Sequence, residues 1–462
     1  MNQDTICALA TANGVGALGL IRLSGKEALE VINRCFRGKD LTRVPSHTVH
    51  YGFLIDGDEP IDEVMVSVFH APKTFTTEHS AEITFHGSPH IGKRILEVLT
   101  QNGARMAKAG EFTMRAFMNG RLDLAQAESI ADLIASENEA SRKVALNQLK
   151  GGISAEISAL RGDLLNFTAL VELELDFAEE DVEFADRTAL NILLDKIEEK
   201  LKALMESFRY GNAVKNGVQV AIIGKPNAGK STLLNALLKE ERAIVSDIAG
   251  TTRDTIEEVL HIKGNAFRFI DTAGLRETTD AIEEIGVKKA KDKIATAQVL
   301  LYLYDALSSS PQEVVDFVKE VWREDLEIIL LQNKIDLPGA QTGSFMAEIK
   351  AQLVPQYTRT LIGISAKDET NVEILKNELS AYVEQMKSGE GNAVITNQRH
   401  YEALKKSLDS VFRVKEAIEQ SFHTEILAYE LRYALEHLGE ISGEFTNDEV
   451  LGHIFSKFCI GK

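Results

Sequence analysis

Residues 218–238 read V-Q-V-A-I-I-G-K-P-N-A-G-K-S-T-L-L-N-A-L-L. The apolar run Val218 to Ile223 predicts a strand. It ends in Gly224-Lys-Pro-Asn-Ala-Gly229-Lys230-Ser231, and a helical spacing of Leu233, Leu234, Ala236 and Leu237 follows. Strand, G-x-x-x-x-G-K-[ST] loop and helix in that order make a P-loop. Gly224 and Gly229 let the backbone curl so that its N–H groups face a phosphate. The helix N-terminus adds the positive end of its dipole. Lys230 reaches the β- and γ-phosphates, and the Ser231 hydroxyl sits on Mg²⁺. The nucleotide contacts expected in this loop are Asn227, Ala228, Gly229, Lys230, Ser231 and Thr232.

Working outward, three later stretches say which nucleotide is bound. Asp271-Thr272-Ala273-Gly274 follows the strand-like Phe267 to Ile270, so Asp271 reaches the Mg²⁺ shell and Gly274 the γ-phosphate. Asn333-Lys334-Ile335-Asp336 follows Ile328 to Leu331. The Asp336 carboxylate can accept from guanine N1–H and N2–H₂ together, which adenine does not offer. Ser365-Ala366-Lys367 follows Leu361 to Ile364 and sets backbone N–H near guanine O6. Between P-loop and Asp271 lies Asp247-Ile-Ala-Gly-Thr-Thr252-Arg-Asp254, where Thr252 is the natural second Mg²⁺ ligand. In order, each after a strand, these make a guanine-nucleotide domain.

The chain has 462 residues, enough for about three domains. A hydrophobic share of 44% and a charged share of 26% belong to a globular protein with its own cores. No charge-free run approaches a membrane span and no cleavable leader is evident, so a cytoplasmic protein without membrane contact is expected. Cys7, Cys35 and Cys459 are too few and scattered for a disulfide framework or a zinc site. The formal net charge of −19 means that nucleic acid must be met through a local patch or a basic partner.

Residues 1–118 read as mixed α and β. Thr5–Ala10, Leu18–Leu23, Val49–Leu54, Glu63–His70 and Ser80–Phe85 are strand-like. Lys26–Phe36 has helical period, with Ala28, Leu29, Ile32 and Phe36 on one face, and Pro89–Gln101 predicts a second helix. Gly14-Val-Gly16-Ala-Leu-Gly19 matches G-x-G-x-x-G, but a β-rich segment follows where a dinucleotide site needs a helix. His86 and His90 flank a Gly-Ser-Pro turn, a poor metal pair. Residues 119–212 turn helical: Leu122–Leu149 with Leu124, Ile130, Ala131, Ile134 and Leu146 inward, then Ile153–Asp176 and Arg187–Phe208. The acidic run Glu172–Asp186 reads as a solvated helix end. A G domain spans 213–386, the Gly-rich joint Ser388–Asn392 closes it, and helices resume over 387–462. Thr446-Asn-Asp-Glu449 has the capping-box pattern for a last short helix. The economical architecture is multidomain α/β and α: an N-terminal α+β domain, and a helical bundle split in sequence by an inserted Ras-like P-loop G domain.

One element is missing. Leu275 stands where small regulatory GTPases carry the glutamine that orients water. Asn227, inside the P-loop, can ligate a cation beside the phosphates. Arg276 to Glu284 supplies several carboxylates just past the D-x-x-G.

G-K-P-N-A-G-K-S-T (224–232), D-I-A-G-T-T-R-D (247–254) and D-T-A-G-L-R (271–276) resemble the translation-associated bacterial GTPases. Four further stretches resemble one family among them: G-L-I-R-L-S-G (19–25), E-H-S-A-E-I-T-F-H-G (78–87), G-E-F-T-M-R-A-F-M-N-G-R-L-D-L-A-Q-A-E (110–128) and F-C-I-G-K (458–462). These are identified with the MnmE (TrmE) tRNA-modification GTPases, over the whole chain. The resemblance implies a homodimer whose N-terminal domain binds folate and dimerises. It also implies a partner of the MnmG (GidA) family that carries FAD and uses NADH, in a heterotetramer or larger. Together they place an aminomethyl or carboxymethylaminomethyl group on C5 of the wobble uridine, position 34, of certain tRNAs. The carbon comes from 5-formyl- or 5,10-methylene-tetrahydrofolate.

By the same resemblance the K⁺ ligands fall on Asn227, Ser246, Ile248 and Thr251, and the Mg²⁺ ligands on Ser231 and Thr252. The nucleotide contacts extend through Asp247, Ala249 and Gly250. The water-orienting carboxylate falls on Glu283, which joins Lys230 and Cys459 as a catalytic candidate. Folate contacts fall on Arg22, Glu82, Arg121 and Lys462. Arg121 stands where the family pattern has Lys, and Ser246 where it has Thr. For Cys459 a buried structural thiol and a functional thiol beside the folate are both open. A ribosome-assembly GTPase of the same superfamily is the alternative. It requires a basic RNA-binding tail where this chain has a helical segment ending in C-I-G-K.

Overall fold

The computed structural model describes residues 4–176, 187–239, 258–270, 294–305, 307–340, 342–353, 357, 360–387, 393–420 and 423–461. They fall into two compact units: 1–134 with 147–197 and 406–462, and 135–146 with 198–405.

The chain opens with β1 (Thr5–Leu9), β2 (Leu18–Ser24), α1 (Ala28–Arg34), β3 (Phe36–Arg37), β4 (Thr48–Asp56), β5 (Glu59–Phe69), β6 (Ser80–His86), α2 (Pro89–Gln101) and β7 (Ala104–Met106). The strands form one sheet in the order β3-β4-β5-β6-β2-β1-β7, antiparallel except for the β1–β7 pair. The period of two puts Ile21 and Leu23 of β2 and Ile83 and Phe85 of β6 into one core with Leu29, Ile32, Ile95 and Leu99 of α1 and α2. Arg22 and Glu82 are one residue out of phase, so they share the other face, directly opposite each other in register. On that face Ile6 and Ala8 pack with Phe112 and Phe75 in a smaller core. Helix α1 ends at Arg34; Phe36, expected on its face, instead starts β3, where it is buried. The Gly14–Gly19 run leads into a strand as read, and Gly19 has the Phe85 ring 2.3 Å from where a Cβ would stand.

Next come α3 (Glu111–Met118), α4 (Leu124–Ile134), α5 (Glu139–Leu149), α6 (Gly152–Asp176) and α7 (Arg187–Asn216). The helical stretch Leu122–Leu149 holds two helices, α4 and α5. Leu124 is buried, but Ile130, Ala131 and Leu146 are half-buried and Ile134 is 45% exposed at the end of α4. Of the acidic run Glu172–Asp186, residues 177–186 lie outside the described residues; the described part, at the end of α6, is not simply solvated. Glu174 is buried and accepts from Arg187 at 2.5 Å, and Glu172 accepts from Arg432 at 2.5 Å. Helix α7 runs past Phe208, whose ring stacks on Tyr401 at 4.8 Å, because Ala213 and Val214 still find burial.

The P-loop half follows: β8 (Val218–Gly224), α8 (Lys230–Leu238), β9 (Glu258–Ile262), β10 (Asn265–Phe269), β11 (Val299–Asp305), α9 (Pro311–Val321), β12 (Glu327–Asn333), α10 (Thr342–Gln352), β13 (Thr360–Gly363) and α11 (Val372–Gln385). The sheet order is β13-β12-β11-β8-β10-β9, parallel apart from the β9–β10 hairpin. That hairpin turns on Lys263 and Gly264, both at positive φ (50° and 84°), as a tight two-residue turn demands. Val299, Leu301 and Leu303 of β11 face one core and Leu300, Tyr302 and Tyr304 the other, as in a sheet covered on both sides.

The chain ends in α12 (Gln398–Glu419), α13 (Thr424–Ser442) and α14 (Asp448–Ser456). α13 packs along α6, with Arg161 paired to Glu444. The cap of α14 is not Thr446 but Asn447, whose Oδ1 accepts from Val450 N at 2.9 Å. No described helix is long and apolar enough to cross a membrane.

Candidate functional site

The phosphate loop is made by positions where a side chain has no room. A Cβ at Gly224 would stand 2.3 Å from the Leu303 carbonyl oxygen, and one at Gly229 would stand 2.1 Å from Asn333 Nδ2. Gly229 (φ 98°) and Asn227 (φ 61°) turn the backbone left-handed, and α8 starts directly after, at Lys230. Lys230 Nζ lies back over the loop and donates to the carbonyls of Gly224 (2.7 Å) and Lys225 (2.9 Å). Ala228 is buried, Ser231 half-buried, and Asn227 and Thr232 exposed.

Asn333 joins two of the predicted loops. It is 3% exposed; its Nδ2 donates to the Ala228 carbonyl at 2.7 Å, and its Oδ1 accepts from Ala366 N at 3.0 Å. Ser365 caps its own turn, accepting from Asp368 N at 3.1 Å, and Lys367 is exposed beside it. Lys334 (φ 64°) pairs with Asp305 at 2.9 Å, and Asp336 is exposed two residues on. Asp305 is the residue that motif reading missed. It is 6% exposed, ends β11, and also accepts from Leu307 N at 2.9 Å. Its signal was the acid closing an otherwise apolar strand. Lys225 reaches Glu313 at 2.8 Å, and that pairing holds the Glu313 carboxyl below its ordinary range. Ser246, Asp247, Ile248, Ala249, Gly250, Thr251, Thr252, Asp271, Thr272, Ala273, Gly274 and Glu283 lie outside the described residues.

The first unit carries a second cluster. Arg22 Nε and Nη2 both donate to Glu82 Oε1, at 2.9 and 2.7 Å, and Glu82 Oε2 has no partner among the described residues. The Arg22 guanidinium lies 5.7 Å from the Phe75 ring centre and 5.9 Å from that of Phe112. Arg121 approaches the same Phe75 ring, at 5.4 Å, and donates to the Thr74 carbonyl. Arg22 and Arg121, far apart in sequence, thus meet at Phe75, which no motif singled out, and Glu82 joins them through Arg22. A buried network holds the base of this loop. Glu78 accepts from Ser24 (2.7 Å) and Arg115 (3.1 Å), and Arg115 also binds Asp4 and Glu111.

The C-terminal segment returns to this unit. A Cβ at Gly110 would meet the Phe455 carbonyl oxygen at 2.6 Å, Ile460 bridges Ala109, and a Cβ at Gly461 (φ 96°) would lie 2.4 Å from the Leu9 carbonyl oxygen. Lys462 lies outside the described residues. Cys459 is exposed, which removes the buried-thiol reading. The buried thiols are Cys7, pushed up to about 12, and Cys35, pushed up to about 11, both by burial. His86 Nδ1 binds Asp62 at 2.7 Å, and that bond raises its pKa; no metal-holding group of His, Cys, Asp or Glu occurs among the described residues.

Residues 5–121 match the family model described as GTP-binding protein TrmE N-terminus, and residues 124–459 match the MnmE helical domain. The curated tRNA modification GTPase MnmE of Flavobacterium johnsoniae is 50% identical over 469 residues, covering 100% of both chains. Those of Flavobacterium psychrophilum and Christiangramia forsetii are 47% and 48% identical, each covering 100% of this chain and 99% of the relative.

Proposed function

The chain belongs to the MnmE family of tRNA modification GTPases, and from that premise we propose a GTP hydrolase that helps modify C5 of the wobble uridine of certain tRNAs. In this reading hydrolysis is K⁺-stimulated. The group added is aminomethyl or carboxymethylaminomethyl, its carbon comes from a tetrahydrofolate derivative, and an MnmG-type partner supplies FAD and NADH. The protein acts in the cytoplasm as a homodimer. Residues 119–212 and 387–462 form one helical domain, interrupted by the G domain at 213–386.

The loop fits a triphosphate: glycines that exclude Cβ atoms, and a lysine that donates to two loop carbonyls a phosphate can replace. Lys230 would exchange the Gly224 and Lys225 oxygens for the β- and γ-phosphates. Ser231 and Thr252 would hold Mg²⁺, which offsets phosphate charge. Asn227, Ser246, Ile248 and Thr251 would hold K⁺, which adds positive charge where Leu275 provides none. Glu283 orients the attacking water. Asp336 reads the guanine edge.

The observation that carries the folate half is the Arg22–Glu82–Phe75–Arg121 cluster. It offers a free carboxylate oxygen for a pterin's paired N–H groups and guanidiniums for its carbonyl or anionic tail. Lys462 and Cys459 close that site. The test is nucleoside analysis of tRNA from a strain lacking the protein, complemented with wild type or Glu82→Ala. The C5 modification should return only with wild type; its return with both would exclude Glu82 from the site.

A further inference from the structure

Beside Arg121, the loop 72–77 and the turn 119–121 border an open, shallow cleft of about 450 Å³. Its wall is preformed. Asn119 Nδ2 donates to the Thr76 carbonyl at 2.7 Å, and Arg121 donates to the Thr74 carbonyl. Thr77 (φ 63°) and Gly120 (φ 73°) turn the backbone, and a Cβ at Gly120 would meet nothing within 4 Å. The Thr74 hydroxyl is already committed to the Glu78 carbonyl at 2.7 Å. What remains for a ligand is the exposed Lys73 ammonium and the Thr77 hydroxyl, neither with a side-chain partner among the described residues. Arg121 adds the donors it does not spend on Thr74. No carboxylate lines the cleft. Two cations and a hydroxyl in a concave site, on a chain of net charge −19, select for an extended anion held by local charge. The cleft joins the Arg22–Glu82 cluster through Arg121, which belongs to both.

We propose that this cleft binds the γ-linked oligoglutamate tail of a polyglutamylated folate, with Lys73 and Arg121 pairing successive carboxylates and Thr77 donating to one of them. The inference rests on the folate reading above, since the head group brings the tail to this loop. The test is calorimetric titration of the full-length protein with monoglutamyl and pentaglutamyl 5-formyl-tetrahydrofolate, read as the ratio of the two affinities. Wild type should favour the pentaglutamyl form about tenfold or more, with the gain shrinking as salt rises. The ratio should fall to near one in Lys73→Glu and to an intermediate value in Lys73→Ala. A wild-type ratio of one, with the monoglutamate bound, overturns the tail site and leaves the folate reading standing. No binding of either form overturns both. A ratio unchanged in both Lys73 variants overturns the proposal. So does a single-stranded RNA oligomer whose affinity falls in Lys73→Glu while the folate ratio holds, because the cleft then serves a phosphate backbone.

Discussion

At the P-loop the working side chains are tied to main chain: Asn333 to Ala228 and Ala366, Lys230 to Gly224 and Lys225. At the Arg22–Glu82 cluster they are tied to one another and to the faces of Phe75 and Phe112. The first arrangement fixes a backbone cradle that one wrong atom would fill. The second fixes charge at a half-exposed surface, where a pair contributes only about 0–1 kcal/mol to stability and stays available to a ligand. Geometry should therefore be the sensitive variable at the nucleotide site, and charge the sensitive variable at the proposed folate site.

Asn333→Ala should have the largest effect. It strands the buried Ala228 carbonyl and Ala366 amide, each worth about 1–3 kcal/mol when unpaired, so GTP affinity should fall about 10²- to 10³-fold. Folate affinity should hold. Loss of both affinities in a folded variant would break the comparison.

Glu82→Ala is the converse. The free Oε2 and its neighbour are removed, and Arg22 keeps its aromatic contacts. Affinity for 5-formyl-tetrahydrofolate should drop about 10²-fold by calorimetry, while GTP affinity and melting temperature barely move. A melting temperature lowered as far as by a core truncation would make the pair structural.

Sequence legibility divides along the same line. The nucleotide site was readable because its chemistry is local. Strand, loop and helix are contiguous from Val218 to Leu238; Asn333 ends β12, and Ala366 follows the adjacent parallel strand β13 (Thr360–Gly363). The Arg22–Glu82–Arg121 cluster is not local. Arg22 and Glu82 face each other only through β-register, and Arg121 arrives through the turn at Gly120. No spacing rule reaches across those separations, so the residues came from family resemblance, and Phe75, which lies between them, was missed. The same holds for helix boundaries. Asn447 rather than Thr446 caps α14, because either side chain can serve as an N-cap and only the backbone chooses.

Asp305→Asn sharpens the comparison at smaller scale. The substitution keeps shape and removes the charge that holds Lys334 at 2.9 Å. GTP affinity should fall about tenfold, with kcat at saturation little changed. A change in kcat alone would move Asp305's influence from Lys334 to the phosphate end.

The smallest effect separates the two regions by pH. Glu111 lies 6% exposed between Arg105 (2.7 Å) and Arg115 (3.2 Å). Burial alone would raise its pKa, but the Arg105 bonds and the Lys108 N–H at 2.8 Å together hold it below the ordinary 4.5. Asp4 is held below 3.8, chiefly by its bond to Arg105. Both carboxylates therefore bind fewer protons in the fold than in the unfolded chain. Their contribution is fully present above about pH 4.5 and is lost as pH falls through the depressed values. Protection factors in α3, the intrinsic exchange rate at each pH divided by the observed one, should fall over that acid window in wild type, and Glu111→Gln should flatten the dependence. The Asn333 bonds to the Ala228 carbonyl and the Ala366 N–H contain no titrating group, so protection of the Ala366 amide should change less over the same window. If α3 and the P-loop lose protection in step, and Glu111→Gln alters neither, charge does not distinguish how the two regions are held.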